Sequence, residues 1–535
     1  MPGKGLSLMK YDVIVIGGGH NGLVAAAKLA KAGRKVIVLE KQKVPGGAAA
    51  TEEVWPDFKI NSGAGHAGLF HPDIISELNL EQRGLTFLDN PAVVFSPAAH
   101  DKHLLLWQDA ARNHAEISRL SERDAEAWPH FLKQVDTFST ILADIRLKTP
   151  PDLTNNSFGE LWPWLKTGLK LRGLGKRDML AFLRSAPLSI HEFLNDWFEN
   201  EHLKGVLGST GVIGSMQGPM AAGTFFTWLY QQMNGKANGF RAIRPVKGGL
   251  GTLSLALAVV CYEHGAEVRM EAEVAEIKVS DGAATGVVLE SGEEIGASTI
   301  ISTLDAQRTF FWLTGTWHLD PGFVRRVRNI KYRGSTASLN VALSELPIFK
   351  NGPAGEEHLT GHIVLNKSLT ELEKAYDDAK YGRYSKRPLI DMMIPTILDD
   401  DLAPSGRHIA SITMRYAPYD LRGSEWYQQE ENLKEQIYKR IEEDAPGFRD
   451  LVMHDQVMTP LAIESKFGMT QGSIYQGQMG LDQILFMRPV PGFAKYQTPV
   501  ENLFLGGAAT HPGGGVTGAP GYNVARHILT GKSGK

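Results

Sequence analysis

Apolar positions along this chain change their period abruptly, and each change marks an element. Tyr11–Ile16 (YDVIVI) is short, β-branched and apolar on both faces, the pattern of a buried parallel strand. Leu23, Ala26, Ala27, Leu29 and Ala30 then recur at helical spacing up to Gly33, and Val36–Leu39 is a second strand ending in Glu40. Residues 51–68 pattern as a hairpin running into a glycine-rich loop, residues 72–80 as a short helix, and residues 92–107 as two strands around a polar turn. From Asn113 the period becomes helical: Ser121 and Asp124 make a capping-box-like start, with Trp128, Phe131, Leu132, Val135 and Phe138 on one face. Helical spacing persists to about residue 233, broken at Pro150-Pro151 and at Gly173 and Gly175. Thr252–His264 is a further helix. Alternation at Val274, Ile277 and Val279, turns at Asp281-Gly282 and Ser291-Gly292, and the closing run Ser298–Ser302 predict a strand-rich unit. Ser335–Leu343 and Ile409–Tyr416 pattern as strands, and Asn432–Glu443 as a charged, solvated helix. A strand at Leu503–Leu505 precedes a close turn at Gly506-Gly507, and the glycines to Gly518 lead into a helix whose N-terminus falls at Val516–Thr517.

The junction between the first strand and the first helix carries chemistry. Gly17, Gly19 and Gly22 form G-x-G-x-x-G. The first glycine permits the tight turn, the second lets backbone approach a pyrophosphate, and the third lets helix and strand pack closely. The helix N-terminus points its N–H groups at the phosphates. Glu40, eighteen residues after Gly22, stands where an acid accepts hydrogen bonds from ribose hydroxyls. The fingerprint alone leaves FAD and NAD open. Val44-Pro45-Gly46-Gly47-Ala48-Ala49 adds a second place where backbone can approach a dinucleotide.

With Glu40 followed by Gly46-Gly47, and with GGGHNGLVAAAKLAKAG, GGAAATEE, LDQILFMRPVPG and NLFLGGAATHPGGGVTGAPGYNVARHI, the chain resembles the FAD-dependent phytoene desaturase (phytoene dehydrogenase-like) flavoproteins, relatives of the amine oxidases. The resemblance touches both ends of the chain and, more thinly, the middle. It implies an α/β fold in which a Rossmann-like FAD-binding domain of the amine oxidase/phytoene desaturase type is interleaved with an α+β substrate domain carrying a helical cap. The FAD domain is expected from residues 1–90, 236–310 and 481–535, and the substrate domain from 91–235 (the cap) and 311–480. FAD is the implied cofactor, with Gly17, Gly19, Asn21, Gly22, Glu40, Lys41, Gly46, Gly47, Ala48, Ala49, Val274, Gly507, Ala508, Val516 and Thr517 as its binding residues. Many relatives carry an acid after the turn glycine to bind the ribityl chain, and Ala508 stands there instead. His66 and His511 sit in glycine-rich loops matching flavin-facing loops, which makes them the candidate catalytic groups; a loop histidine bonded to backbone is the alternative.

The implied reaction is dehydrogenation (desaturation) of an apolar, lipophilic substrate by hydride transfer to flavin N5. A redox-neutral isomerase using reduced flavin, an amine oxidase, and a flavin-stabilised interaction protein without turnover are the alternatives. Residues 205–235 are uncharged over 31 positions, but their glycines and Pro219 fit a buried cap helix better than a membrane span, with Phe225, Phe226, Trp228 and Leu229 beside the substrate cavity.

Composition narrows this picture further. The 535 residues suggest roughly three domain-sized units by length. A net charge of −3 gives no global pull toward nucleic acid or anionic membrane, and basic residues do not cluster with aromatics as a nucleic-acid groove requires. Cys261 is the single cysteine, which excludes an intrachain disulfide and a redox-active cysteine pair. Metal-ligand spacings are lacking, and no second dinucleotide fingerprint marks an NAD(P)H domain. Leu161–Arg177 (LWPWLKTGLKLRGLGKR) has five basic residues and no acid, with Leu161, Trp162, Trp164, Leu165, Leu169 and Leu171 on one helical side. That arrangement suits a membrane interface, or an amphipathic helix packed on the cap. Ten residues before the first strand leave no space for a signal peptide, so the expected location is cytoplasmic, with possible peripheral membrane contact. The sequence does not give the oligomeric state.

Overall fold

The computed structural model describes residues 11–98, 103–151, 158–235 and 241–531. Two seven-stranded sheets organise them. In the first, Tyr11–Ile16 lies between Val36–Leu39 and Glu294–Ser302; Glu267–Arg269 pairs beyond one and Leu503–Leu505 beyond the other, all parallel. These strands are apolar on both faces because both are covered: helices pack on one, and Val274, Ile277, Val287 and Leu289 with Phe310 and Phe323 pack on the other. The first half of Glu294–Ser302 continues into an antiparallel meander with Ala283–Leu289 and Val274–Ser280. Asp281 and Gly282, both at positive φ (51° and 82°), make the tight turn between the last two. Chain segments from the start, middle and end of the sequence thus share one sheet. Helices His20–Lys31, Gly251–Glu263 and Ala519–Leu529 pack on it through Leu23, Leu253 and Val524, all fully buried. The expected Rossmann-like α/β class is the class observed. Cys261 lies sealed on the second of these helices, and burial pushes its thiol up to about 12.

The second sheet runs Val452–Met458, Thr336–Leu343, His408–Arg415, Ile390–Met393, His362–Leu365, Ala92–Pro97, His103–Trp107, antiparallel except where His362–Leu365 meets Ala92–Pro97. One face carries Ala337, Leu339, Val341, Ala410 and Met414, buried against Leu433, Ile437 and Ile441 of helix Trp426–Glu442. The segment expected to be a solvated helix is therefore amphipathic, and its apolar stripe closes the back of this sheet. The other face is polar and looks into the molecule.

Among the described residues, seven α-helices between Ala110 and Gln231 form a cap: Ala110–Ser118, Glu122–Arg146, Phe158–Gly173, Lys176–Ser185, Ile190–Asn195, Glu201–Gly208 and Thr224–Gln231. Ser121 Oγ caps the long helix by accepting from Asp124 N–H at 3.2 Å. Residues 205–235 give two short buried helices and glycine turns rather than one long helix. Their aromatics do not face a cavity: Phe225 and Trp228 stack on one another and meet Phe193, Phe131 and Phe138 at tilted or edge-on angles inside the cap. Aromatic rings there maximise apolar contact with each other, which leaves the cavity lining to other residues.

The end of the long helix is tied to both loops that approach the first sheet. Arg146, 2% exposed, donates to Leu69 O at 2.9 Å and Asn234 Oδ1 at 2.6 Å. Asn523 donates to Arg146 O at 2.8 Å, and His511 Nε2 bonds Ile145 O at 2.9 Å. Each such buried bond to a charged group contributes about 1.5–3 kcal/mol, so the cap is fixed in place over the first sheet.

Candidate active site

One cavity of about 390 Å³ runs from the glycine turn of the first sheet to the polar face of the second. At the first end the fold dictates most of the glycines. A Cβ on Gly22 would meet Gly17 O at 2.1 Å, and one on Gly17 (φ 95°) would meet Thr303 Oγ1 at 2.4 Å. Gly19 is different. A Cβ there meets nothing nearer than Gly46 O at 3.8 Å, so the space it leaves open belongs to the cavity. Opposite lies Gly47, whose added Cβ would stand 3.5 Å from the Gly19 Cα. Gly46 N–H donates to Gly18 O at 2.8 Å and holds the two glycine segments side by side.

Glu40, 6% exposed, is held by the same turn. Its Oε2 accepts from Gly18 N–H at 2.7 Å and its Oε1 from Gln42 N–H at 2.9 Å. A carboxylate has about four acceptor positions, so each oxygen keeps one for a ligand. Asn21 Oδ1 and His20 Nε2 are buried at the N-terminus of helix His20–Lys31 without partners, and both residues line the cavity. Burial pushes His20 down to about 4, so its ring is neutral. A cradle beside Gly19, orphaned polar atoms, an unsaturated carboxylate and a helix N-terminus match the diphosphate and ribose of a dinucleotide.

Of the residues expected at the cofactor, Gly17, Gly19, Asn21, Glu40, Lys41, Gly46, Gly47, Ala48, Val274, Ala508 and Val516 line this cavity. Gly22, Ala49, Gly507 and Thr517 do not. Gly22 and Gly507 serve backbone packing, the latter against Thr303 O, where a Cβ would approach to 2.1 Å. Ala49 accepts from Ser254 Oγ, and Thr517 Oγ1 accepts from Ala519 N–H. The last helix begins at Ala519 after Gly518 (φ 69°), later than the expected Val516–Thr517, because the left-handed glycine breaks the helical path. Gly514 instead crosses the Tyr475 ring, which a Cβ there would strike at 2.2 Å.

The two expected histidines part company. His66 lines the cavity, and its Nδ1 accepts from Gly68 N–H at 3.0 Å, which leaves the ring proton on Nε2. Burial, with Arg241 and His362 beside it, holds its pKa well below the histidine range. His511 is outside the lining. Its ring turns inward to the Ile145 carbonyl and is 1% exposed, so the glycine-rich loop delivers a structural histidine and not a group at the reacting atoms.

The second end of the cavity is the polar sheet face, which sequence reading missed. Thr336, Ser338 and Asn340 stand opposite Arg415, Thr413 and Ser411 in register, and Asp391 stands opposite Thr413 on the other side. All seven line the cavity. Their signal was a strict alternation of polar residues on two strands, which a half-solvated strand shows equally. Asp391 Oδ1 meets His362 Nδ1 at 2.6 Å, while His362 Nε2 is buried without a partner, and the His66 ring stands edge-on 5.4 Å away. Burial opposes ionisation of Asp391, but His362, Arg241 and Arg415 outweigh it and hold the carboxyl well below its usual range. Burial and Arg241 together lower His362, against the pull of Asp391. The neutral imidazole therefore donates from Nδ1 to Asp391 and presents an Nε2 lone pair, an arrangement suited to accepting a proton. Met393, Met458, Ile463 and Ile474 supply the apolar part of the lining.

Comparison with known proteins identifies the family. The sequence profile described as flavin containing amine oxidoreductase matches residues 22–529. The chain is 37% identical over 545 residues to the pyridine nucleotide-disulfide oxidoreductase domain-containing protein 2 of Rattus norvegicus, covering 97% of this chain and 93% of the relative. It is 25% identical over 529 residues to the phytoene desaturase (neurosporene-forming) of Cereibacter sphaeroides, covering 95% and 92%. An oxidoreductase from Methanosarcina mazei shares the fold at a TM-score of 0.62 and 16% identity, over 97% of this chain and all of that one (100%). The protein belongs to the flavin containing amine oxidoreductases, an FAD-dependent oxidoreductase family whose more distant relatives include the phytoene desaturases.

Proposed function

We propose that this protein dehydrogenates a small molecule, with His362 taking one hydrogen as a proton and the other leaving as a hydride, for which FAD held in the glycine cradle would be the acceptor. The Asp391–His362 pair, opening into the same cavity as Gly19, carries the reading. FAD, held by the Gly17–Gly22 turn, Glu40, Gly46-Gly47 and the Ala508–Val516 loop, supplies the two-electron acceptor. Asp391 fixes the His362 tautomer and stabilises the cation formed when Nε2 takes the substrate proton. His66, neutral and bearing its proton on Nε2, donates a hydrogen bond at the cavity wall and orients the substrate. The cap and the second sheet bury these imidazoles, and burial favours their neutral forms. Dehydrogenation of a C–C bond is favoured over amine oxidation, because a base at Nε2 suits an acidic C–H. Anaerobic bleaching of the flavin on substrate addition separates turnover from mere binding.

We also propose that the cap meets an anionic lipid surface. Trp162, Leu165, Leu169, Leu180 and Leu183 are exposed, and Lys166, Arg172, Lys176 and Arg177 are exposed among them. Trp164, expected on the same side, turns inward and donates to Thr149 O at 2.9 Å, and Lys170 pairs with Asp144 at 2.6 Å. Four basic residues remain to attract a bilayer, at about 1 kcal/mol each near its surface. No helix among the described residues is long and apolar enough to cross a membrane.

Three sets of outcomes are expected. Gly19→Val purifies folded but colourless, since its side chain enters the cavity and not the protein. Gly22→Val is destabilised whether or not FAD is present, since it collides with Gly17 O. Absorbance and thermal melting distinguish the two, and a yellow Gly19→Val protein contradicts the cradle. The rate of flavin reduction stays level through neutral pH and falls only below 6.5, where His362 with its lowered pKa becomes protonated. His362→Gln slows reduction by about 10²–10⁴-fold, the scale of general-base catalysis, and abolishes this acid limb; a limb that survives assigns it to another group. In liposome flotation the protein rises with anionic vesicles at low salt and stays down at high salt. Retention in the soluble fraction at low salt removes the lipid surface from the account.

A further inference from the structure

Most buried arginines in this protein are anchored by at least one hydrogen bond or ion pair shorter than 3 Å, although Nε of Arg146 and Nε and Nη2 of Arg440 keep no partner. Arg488, 2% exposed, donates to the backbone carbonyls of Ala508, Gln483 and Gly477 at 2.7–3.2 Å. Arg146 reaches Leu69 O and Asn234, and Arg440, 1% exposed, reaches Asp444 at 2.6 Å. Two others break this rule, and both line the polar end of the cavity. Arg241 is 7% exposed, and its guanidinium has no hydrogen bond or ion pair with another described residue. Arg415 is 9% exposed and makes a single long bond to another described residue, Thr336 Oγ1 at 3.3 Å.

The two guanidinium groups hold ten N–H donors between them. One acid, Asp391, shares their end of the cavity, and its Oδ1 is already taken by His362 at 2.6 Å. His66 and His362 are neutral, so the cluster has two cations against one anion. Excess buried positive charge without hydrogen-bond partners is costly, and a protein retains it where a ligand completes the site. Thr336, Ser338, Asn340, Ser411 and Thr413 surround the arginines with hydroxyl and amide groups, a lining that does not favour a pure hydrocarbon.

We propose that Arg241 and Arg415 bind the carboxylate of the substrate, which is therefore an amphipathic organic acid whose apolar body lies against Met393, Met458 and Ile474. Guanidinium forks match carboxylate oxygens in shape and charge. The proposal rests on the dehydrogenase reading for the fate of that substrate. Held by its carboxylate, the acid presents its α C–H to His362 Nε2. The α C–H bond breaks with its proton passing to that nitrogen, and the β C–H bond breaks with its electron pair and hydrogen passing to the flavin. A C=C bond forms, the acid is oxidised by two electrons and FAD is reduced by two.

The experiment titrates the FAD-loaded protein with octanoate and benzoate, and with octanamide, benzamide and octylamine as neutral and cationic counterparts. Perturbation of the flavin spectrum and thermal shift are the readouts, so no turnover is needed. The carboxylates are expected to bind at least 100-fold tighter than the amides, with octylamine not competing. Arg415→Met is expected to abolish that preference while FAD content stays stoichiometric, and Arg415→Lys to restore part of it. Equal binding of acid and amide by the unaltered protein overturns the proposal even if no variant folds. Loss of FAD from Arg415→Met or from Arg241→Met overturns it as well, since the arginines then serve the cofactor. Carboxylate binding without flavin bleaching by any acid upholds this inference and sinks the dehydrogenase reading; turnover of a neutral substrate with no carboxylate binding does the reverse.

Discussion

The bond from Gly18 N–H to the Glu40 carboxylate, 2.7 Å long and buried, is the constraint on which the rest of the site depends. It closes the turn between the first strand and first helix onto the end of the second strand. Gly22 packed on Gly17 O and Gly46 bonded to Gly18 O complete the closure, so three short segments are held at fixed spacing. A charged hydrogen bond in a buried place is worth about 1.5–3 kcal/mol, and breaking it leaves an unpaired carboxylate that costs more. Nothing else at this end of the molecule has comparable leverage. The sheet strands, by contrast, are secured by apolar packing that tolerates small exchanges.

Across the cavity the physics is reversed. The second sheet buries apolar residues behind it and turns a row of hydroxyls, an amide, Arg415 and an Asp–His pair toward the space in front, where Arg241 joins them from a loop. Such a face would be an ordinary solvated surface on a free sheet. Here the cap and the loops of the first sheet enclose it, and burial lowers the pKa of His66 and His362 while leaving guanidinium donors unspent. Stability alone does not explain keeping those groups, because an apolar lining would cost less. Function does, and it demands a polar part in the molecule that binds.

Much of the first end was legible in the sequence, since a glycine turn has local causes: Gly17, Gly19, Gly22 and Glu40 lie within one strand–helix–strand unit. The strands Tyr11–Ile16 and Val36–Leu39 fall where apolar runs placed them. The second end was not legible. Its members come from residues 66, 241, 362, 391 and 415, on elements joined only by sheet pairing and chain crossings, and no local pattern unites them. Aromatic residues near 225 suggested an apolar cavity because hydrophobicity reports burial without saying what lies alongside; the rings found each other instead. His511 misled for a similar reason, since glycine-rich surroundings open a loop to close packing as readily as to a ligand.

The central claim is that the Glu40-centred turn selects a dinucleotide and thereby fixes where the polar sheet face meets the redox centre. Calorimetric titration of flavin-free protein with FAD and with FMN tests it most directly. FMN lacks the adenosine half that the diphosphate cradle and Glu40 would hold, so the account predicts FAD tighter by at least tenfold, about 1.4 kcal/mol, with the advantage reduced in Glu40→Gln. Equal affinities for FAD and FMN in the unaltered protein would contradict the account.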